Sequence, residues 1–254
     1  MTTVWLCIGV AVMAFLFGVA GLYLGKLLPE THSVDRSRDM IGAIVGLVSL
    51  LLALVLGTLI GSAYSFYATQ KSELETLAAR EIQLDLALSE FGPETKEART
   101  RMKQALEGVR DMVWGDDAVK ISPELSAAAP IEQLRAFDSY IASLDPKTPA
   151  QRQFAAAATA DAGVIEQTRV LISMQLASSI SWPLVVIVVS WALILFCGFG
   201  LLSRITGTTL AALGLGAFAV GSALFMTLEL SHPFTGVFRV PSGAFDQMLA
   251  SIDK

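Results

Sequence analysis

The fold is decided by residues 40–68, MIGAIVGLVSLLLALVLGTLIGSAYSFYA, a run of 29 residues without Asp, Glu, Lys or Arg. A helix needs about 20 such residues to cross the roughly 30 Å hydrocarbon core of a bilayer. Three further uncharged runs are also long enough: residues 3–25, 182–203 and 205–228. The sequence therefore predicts an all-α membrane protein with four transmembrane helices.

The composition agrees with a membrane protein. Hydrophobic residues make up 54% of the 254 residues and charged residues only 16%, with a mean hydropathy of +0.60. Soluble domains average about 45–50% apolar and about 25% charged residues. The net charge of −5 offers no basic surface for a nucleic-acid partner. Two Cys and two His are too few for a disulfide framework or a zinc cluster, so we expect neither a metal nor a cofactor.

Between the second and third spans lies a hydrophilic insertion that is predicted to be helical. Apolar residues recur in its first part at three, four and seven residues: Leu74, Leu77, Leu84, Leu88 and Phe91. No helix breaker separates this pattern from the second span before Gly92-Pro93, which predicts one continuous helix. Further helices are expected over about 94–112 and 131–144.

We predict four regions from these patterns. Residues 1–68 form the first transmembrane helix pair and 69–181 the helical extramembrane domain. Residues 182–228 form the second helix pair. Residues 229–254 form an interfacial tail, in which Phe245, Leu249 and Ile252 share one face of a short amphipathic helix.

Small side chains recur along the second span every three or four residues. This small-residue stripe comprises Gly42, Gly46, Ser49, Ala53, Gly57, Gly61 and Ser65. It would let another helix approach closely, or it would line a narrow pore around the axis of an oligomer. In the second case the hydroxyls of Ser49, Thr58, Ser62 and Ser65 would face ions, and large residues on the same helix would form a gate. The two interpretations are compatible.

A second candidate site lies at the end of the fourth span. Glu229 and His232 are three residues apart and would share a helix face, as an interfacial site for ions or protons. The alternative is that Pro233 ends the helix, Gly236 makes a turn, and the polar groups lie among the lipid headgroups.

The cysteines and histidines give no sign of catalysis. Cys7 and Cys197 are predicted at opposite membrane depths, beyond the reach of a disulfide, and are interpreted as small apolar fillers. Two histidines at membrane margins cannot build a Ser–His–Asp or Cys–His arrangement. We therefore expect no enzymatic activity.

Charge is unevenly divided along the chain. The insertion holds 12 basic and 17 acidic residues, whereas the remainder holds 6 of each. The surplus of −5 would gather cations near a pore mouth, or it belongs to an ordinary solvated surface.

Basic residues are concentrated in the two short loops on the opposite side: Lys26, Arg36, Arg38 and Arg204. Because cytoplasmic loops are enriched in Lys and Arg, we expect the helical domain and both termini on the non-cytoplasmic side of a bacterial inner membrane.

The layout resembles the bestrophin-like family of bacterial membrane proteins. The resemblance rests on the Asp35-Arg36-Ser37-Arg38-Asp39 turn before the Gly-rich span, the helical insertion, and the closing His232-Pro233-Phe234-Thr235-Gly236. The last motif is similar to the family's Arg-Pro-Phe-x-Gly, with His in the basic position. The resemblance implies a distant relation to bestrophins, which are pentameric anion channels with a large helical cytoplasmic part. That topology is opposite to the orientation predicted above, and none of the bestrophin ion-binding motifs occurs here.

The sequence therefore predicts an oligomeric integral-membrane ion channel whose pore is lined or packed by the small-residue stripe. Its partners would be the lipid bilayer, further copies of the chain and inorganic ions. The alternative is a non-conducting sensor or scaffold that signals through its helical domain. A transporter ranks last, because the spans contain no ionisable residue or broken helix of the kind that coupled transport uses.

Overall fold

The computed structural model describes residues 2–27, 32–115, 139–177 and 182–252. Seven helices are described here: α1 Thr2–Leu27, α2 His32–Phe91, α3 Lys96–Trp114, α4 Pro149–Ala177, α5 Trp182–Leu202, α6 Gly207–Leu230 and α7 Gly243–Ile252. None of these residues is in a strand. The prediction of an all-α protein is confirmed. Residues 131–138 of the expected third helix of the insertion lie outside the described residues.

Four of these helices are long and apolar enough to cross a membrane: α1, α2, α5 and α6. Helices α1, α5 and α6 coincide with their uncharged runs to within two residues at each end, and α2 contains the run 40–68, so the predicted number of spans is confirmed. Helix α2 continues beyond its span and ends at Phe91, directly before Gly92-Pro93. The described chain forms two compact units. The membrane unit comprises Met1–Phe66 and Ile180–His232, and the helical unit comprises Tyr67–Ser179 and Pro233–Lys254.

In the membrane unit, α1 packs against α5 and α6 through glycines. A Cβ on Gly21 would lie 2.1 Å from the carbonyl oxygen of Cys197, and a Cβ on Gly200 would lie 2.1 Å from that of Gly18. Real Cβ atoms do not come so close to backbone atoms, so the two helices meet backbone to backbone. Similarly, a Cβ on Gly221 of α6 would lie 2.9 Å from Cβ of Ala11. Small residues thus hold the three helices α1, α5 and α6 together.

The helical unit has an apolar core to which α2, α3, α4 and α7 contribute. Ion pairs join α2 to its neighbours around this core. Arg99 of α3 meets both carboxylate oxygens of Asp85 at 2.6 and 2.7 Å, and Arg169 of α4 meets the buried Glu81 at 2.6 Å. One ion pair therefore joins α3 to α2, and the other joins α4 to α2.

A tight turn at residues 92–95 reverses the chain between α2 and α3. Gly92 has φ +145°, a conformation that L side chains rarely adopt. The hydroxyl of Thr95 is fully buried and lies 2.5 Å from the carbonyl oxygen of Leu88, where it supplies a donor near the end of α2. The pair Gly92-Pro93 therefore ends one helix and lets the next pack back against it.

Candidate ion pathway on the second helix

The membrane part of α2 has one face that packs within its own chain. Val45 and Leu52 are buried in a cluster with α5 and α6 residues, and Ile41, Val48, Val55 and Leu59 surround them. A Cβ on Gly198 of α5 would lie 2.5 Å from Cγ2 of Val45. The branched side chains of α2 therefore fill the groove beside the small residues of α5.

The small-residue stripe lies beside this packed face and is largely open. A Cβ added to Gly46, Gly57 or Gly61 would meet nothing within 4 Å, and at Gly42 it would only touch a Leu202 methyl group at 4.0 Å. Ala53 is also exposed. The stripe is thus not the place where the chain packs its own helices, since that role falls to glycines of α1, α5 and α6.

A third face of α2 consists of exposed residues spaced by three or four. It begins with large apolar side chains and continues with hydroxyl side chains: Ile44, Leu47, Leu51 and Leu54, then Thr58, Ser62 and Ser65, then Thr69, Ser72 and Thr76. We call this the ladder face. Its character changes between Leu54 and Thr58.

The stripe and the ladder face are distinct but converge. Successive residues of an α-helix are about 100° apart, so a step of four residues advances about 40° beyond a full turn. The stripe therefore drifts around α2 and reaches the ladder face at Ser65. Thr58 and Ser62 each follow a stripe glycine by one residue. They are therefore turned by about 100° from that glycine and lie on the ladder face.

Three hydroxyl groups on α2 donate to carbonyl oxygens of the same helix. Ser49 donates to the carbonyl oxygen of Val45 at 2.7 Å, Thr58 to that of Val55 at 2.9 Å, and Thr76 to that of Ser72 at 2.9 Å. A hydroxyl has one proton to donate and two lone pairs to accept with. These oxygens are left to accept hydrogen bonds from water or to coordinate cations.

Glu229 and His232 are at the end of α6 but in different surroundings. Glu229 is buried, whereas His232 is exposed and follows the last helical residue, Leu230. The His232 ring nitrogen Nδ1 lies 2.8 Å from the carbonyl oxygen of Leu228, and the His232 backbone N–H donates to the Glu229 carbonyl oxygen at 3.0 Å. An interfacial ion or proton site at this pair stays a prediction.

The remaining candidate ligands are scattered. Cys7 and Cys197 are free thiols. Over the ranges that the structure describes, no three His, Cys, Asp or Glu side chains are grouped so that they could hold a metal ion.

The Bestrophin-like domain family matches residues 12–245. The chain belongs to the Bestrophin-like family. Membership and the four apolar helices together make it an integral membrane protein. No curated protein matches the chain.

Solved bestrophin structures share this fold at low sequence identity. The crystal structure of a point variant of a bacterial bestrophin homologue from Klebsiella pneumoniae has a TM-score of 0.71 and 13% identity, covering 98% of this chain and 99% of that one. Another structure of the Klebsiella homologue has a TM-score of 0.68 and 14% identity, with 96% of each chain covered. A crystal structure described as a membrane protein variant has a TM-score of 0.69 and 14% identity, covering 97% and 96%. Identities this low establish the fold alone.

Proposed function

We propose that this Bestrophin-like protein is an oligomeric ion channel and that α2 forms the wall of its pore. One observation carries the proposal: only 11% of the most apolar window of α2 is buried within the chain, compared with 33% in α5. The stripe and the ladder face are both left uncovered, and one of them carries hydroxyls. Copies of α2 around an axis would use both faces.

In this arrangement the small-residue stripe packs against the adjacent copy. Helices in lipid associate through close van der Waals contact, which glycine and alanine permit. The open space around Gly46, Gly57 and Gly61 accommodates such a neighbour. The ladder face beside the stripe then turns toward the axis.

The ladder face divides the proposed pathway into two parts. The apolar part, from Ile44 to Leu54, would be a constriction that gates by excluding water. The hydroxyl part, beginning at Thr58, would replace some of the water around an ion. Because the Thr58 and Thr76 hydroxyls donate inward, their oxygens favour a cation over an anion.

The charge of residues 69–181 supports the same selectivity. Their surplus of −5 per chain would raise the local concentration of cations at a pore mouth. In an oligomer this surplus is repeated around the axis.

A planar-bilayer recording of the purified protein across a KCl gradient tests the proposal. We expect a current whose reversal potential lies toward the K⁺ equilibrium potential. Its cation preference should weaken in 1 M salt, because the Debye length falls from about 10 Å at 0.1 M to about 3 Å at 1 M. An anion preference that salt does not change would contradict the electrostatic part.

The absence of any current from intact oligomers would favour the alternative function, a non-conducting sensor or scaffold. One observation favours this second function. Helix α2 is a single helix of 60 residues that belongs to both compact units. A partner bound to the helical unit would therefore act on the same helix that crosses the membrane.

We further propose the bacterial inner membrane as the location, with the helical unit and both termini on the non-cytoplasmic side. Basic residues are concentrated at the end of α1, at the start of α2 and between α5 and α6, which supports this orientation. The bestrophin resemblance implies the opposite orientation, with the helical unit on the cytoplasmic side.

A further inference from the structure

A buried side-chain carbonyl on α2 has no hydrogen-bond donor within the chain. Gln70 is fully buried. Its side-chain oxygen Oε1 is the one buried side-chain nitrogen or oxygen without a hydrogen bond among the residues that the structure describes. Buried polar atoms are nearly always paired, so a binding partner for this oxygen is expected at this position.

The Gln70 amide belongs to a polar cluster between α2 and α4. Its nitrogen Nε2 contacts Gln175 Oε1 and lies 3.4 Å from Glu73 Oε2. Gln175 Nε2 in turn donates to Glu73 Oε1 at 2.9 Å. We call Gln70, Glu73 and Gln175 the amide–carboxylate cluster. All three residues belong to the helical unit.

The carboxylate sets the orientation of both amides. An ionised carboxylate only accepts hydrogen bonds, so Gln175 turns its nitrogen toward Glu73 and its oxygen toward Gln70. The Gln70 nitrogen then lies between two acceptors. The reversed amide would bring three oxygens together without a proton between them. The favourable arrangement of the cluster therefore leaves Gln70 Oε1 unpaired.

Glu73 brings a negative charge that the neighbouring basic side chains do not balance. Lys71, two residues away on α2, pairs with Glu75 at 3.9 Å, and Arg169 of α4 pairs with Glu81 at 2.6 Å. The contacts described for Glu73 are with two amides and not with a basic side chain. The cluster thus combines an uncompensated carboxylate with an unpaired carbonyl oxygen.

We propose that the amide–carboxylate cluster binds a monovalent alkali cation, K⁺ or Na⁺. Carboxylate and amide carbonyl oxygens are ligands for hard cations, whereas transition metals favour imidazole and thiolate groups. One positive charge balances Glu73, and a divalent ion would leave an uncompensated charge beside the fully buried Gln70.

The bound cation would hold the amide–carboxylate cluster together between the two helices. Gln175 lies two residues before α4 ends at Ala177, so the cation stabilises the contact of α2 with the last turn of α4. This role goes beyond ion conduction and does not depend on it. A failure of the bilayer recording leaves the proposed site unaffected.

Thermal unfolding of the full chain in detergent tests the proposal in KCl, NaCl or choline chloride. The three salts are used at the same concentration, which keeps the screening of surface charges constant. Gln70→Met removes the unpaired carbonyl, and Glu73→Gln removes the charge. Gln153→Met, at an exposed position of α4, is the matched control.

We expect the wild type and Gln153→Met to melt about 2–4 °C higher in KCl or NaCl than in choline chloride, because a ligand that binds only the folded state stabilises it. Gln70→Met and Glu73→Gln should melt at the same temperature in all three salts.

Two results would overturn the proposal. A wild type that melts at the same temperature in all three salts would mean that a water molecule, and not a cation, satisfies Gln70. An alkali-cation effect of full size in Gln70→Met or Glu73→Gln would place the bound cation elsewhere, for instance in a pore.

Gln70→Lys provides a second variant in case Gln70→Met does not fold. Its ammonium group supplies a positive charge next to Glu73 from within the chain and takes the place of the cation. We expect this variant to fold and to melt at the same temperature in all three salts. A Gln70→Lys protein that still responds to KCl or NaCl would also overturn the proposal.

Discussion

At the scale of single residues, the pair Glu81–Arg169 shows how burial determines the loss in free energy of unfolding when one charged partner is removed. The Glu81 side chain is 3% exposed and the Arg169 side chain 28% exposed. We expect Arg169→Ala to lower the free energy of unfolding by about 3–5 kcal/mol, because it leaves a buried carboxylate without its partner. Glu81→Gln should cost about 1 kcal/mol or less, because it removes the buried charge itself.

Thermal unfolding of both variants in the same detergent measures this difference. The matched control is Arg101→Ala, whose pair with Glu97 lies on the surface, and it should change little. Equal losses for Arg169→Ala and Glu81→Gln would contradict the account of this pair.

Asp246 of α7 provides a prediction of pH dependence. A hydrogen bond from the Ser242 hydroxyl at 2.7 Å, and then the Arg110 guanidinium at 2.7 Å, hold the pKa of the Asp246 carboxyl below its usual range. A lowered pKa means that the ionised carboxylate stabilises the fold at neutral pH. This stabilisation is lost as the pH falls below the usual carboxyl range and through the lowered pKa.

We therefore expect the difference in melting temperature between the wild type and Asp246→Asn to shrink as the pH falls from 7 into that acidic range. Melting curves of both proteins in parallel buffers provide the measurement. A difference that is the same at both ends of the pH range would show that Asp246 does not act through its charge.

At the scale of helices, the sequence predicts the spans but does not show which glycines meet another backbone. Uncharged length alone identifies a span, and the lack of a breaker before Gly92 predicts the continuation of α2. Whether a glycine meets another backbone depends on where two helices cross. The contacts of Gly21 and Gly200 were missed for this reason, although the spacing Gly18, Gly21, Gly25 was a visible signal.

Two glycine substitutions test the roles of these helices. Gly21→Leu places a side chain where a Cβ would already lie 2.1 Å from a backbone oxygen, so we expect it to prevent folding of the membrane unit. A leucine side chain at position 57 would meet no clash within its own chain, because a Cβ there has no neighbour within 4 Å. It should therefore fold, keep its helical content, and fail to assemble or to conduct.

Circular dichroism and mass measurement in mild detergent distinguish the two outcomes. Leu51→Ala, on the ladder face of the same helix, is the control and should leave both folding and assembly intact. A Gly57→Leu protein with normal mass and normal current would contradict the proposed contact between copies.

At the scale of the whole molecule, the sequence predicts the number and order of the spans but not the side of each loop. Basic residues in the short loops favour one orientation, and the bestrophin resemblance implies the other. The Glu81–Arg169 contact, across 88 positions, could not be predicted either, because periodicity along one helix does not specify which surface it meets.

Labelling with a membrane-impermeant maleimide in intact bacterial cells determines the orientation. Cysteines replace Thr100 in the helical unit and Ile205 between α5 and α6, both exposed, in a background without native cysteines. Ile205 is chosen because its replacement leaves the loop charges unchanged. We expect labelling of Thr100→Cys in intact cells and of Ile205→Cys only after permeabilisation, and the reversed pattern would establish the bestrophin arrangement.

Chemical modification of one α2 residue during a recording tests whether α2 lines an ion pathway. Thr58→Cys, in a channel lacking Cys7 and Cys197, is exposed to a positively charged thiol reagent in a planar bilayer. Phe218→Cys, 69% exposed on α6, is the matched control outside the proposed pathway. We predict that the reagent reduces the cation current through the Thr58→Cys protein and leaves the Phe218→Cys current unchanged. An unaltered current in a Thr58→Cys protein shown to be fully modified would contradict the claim.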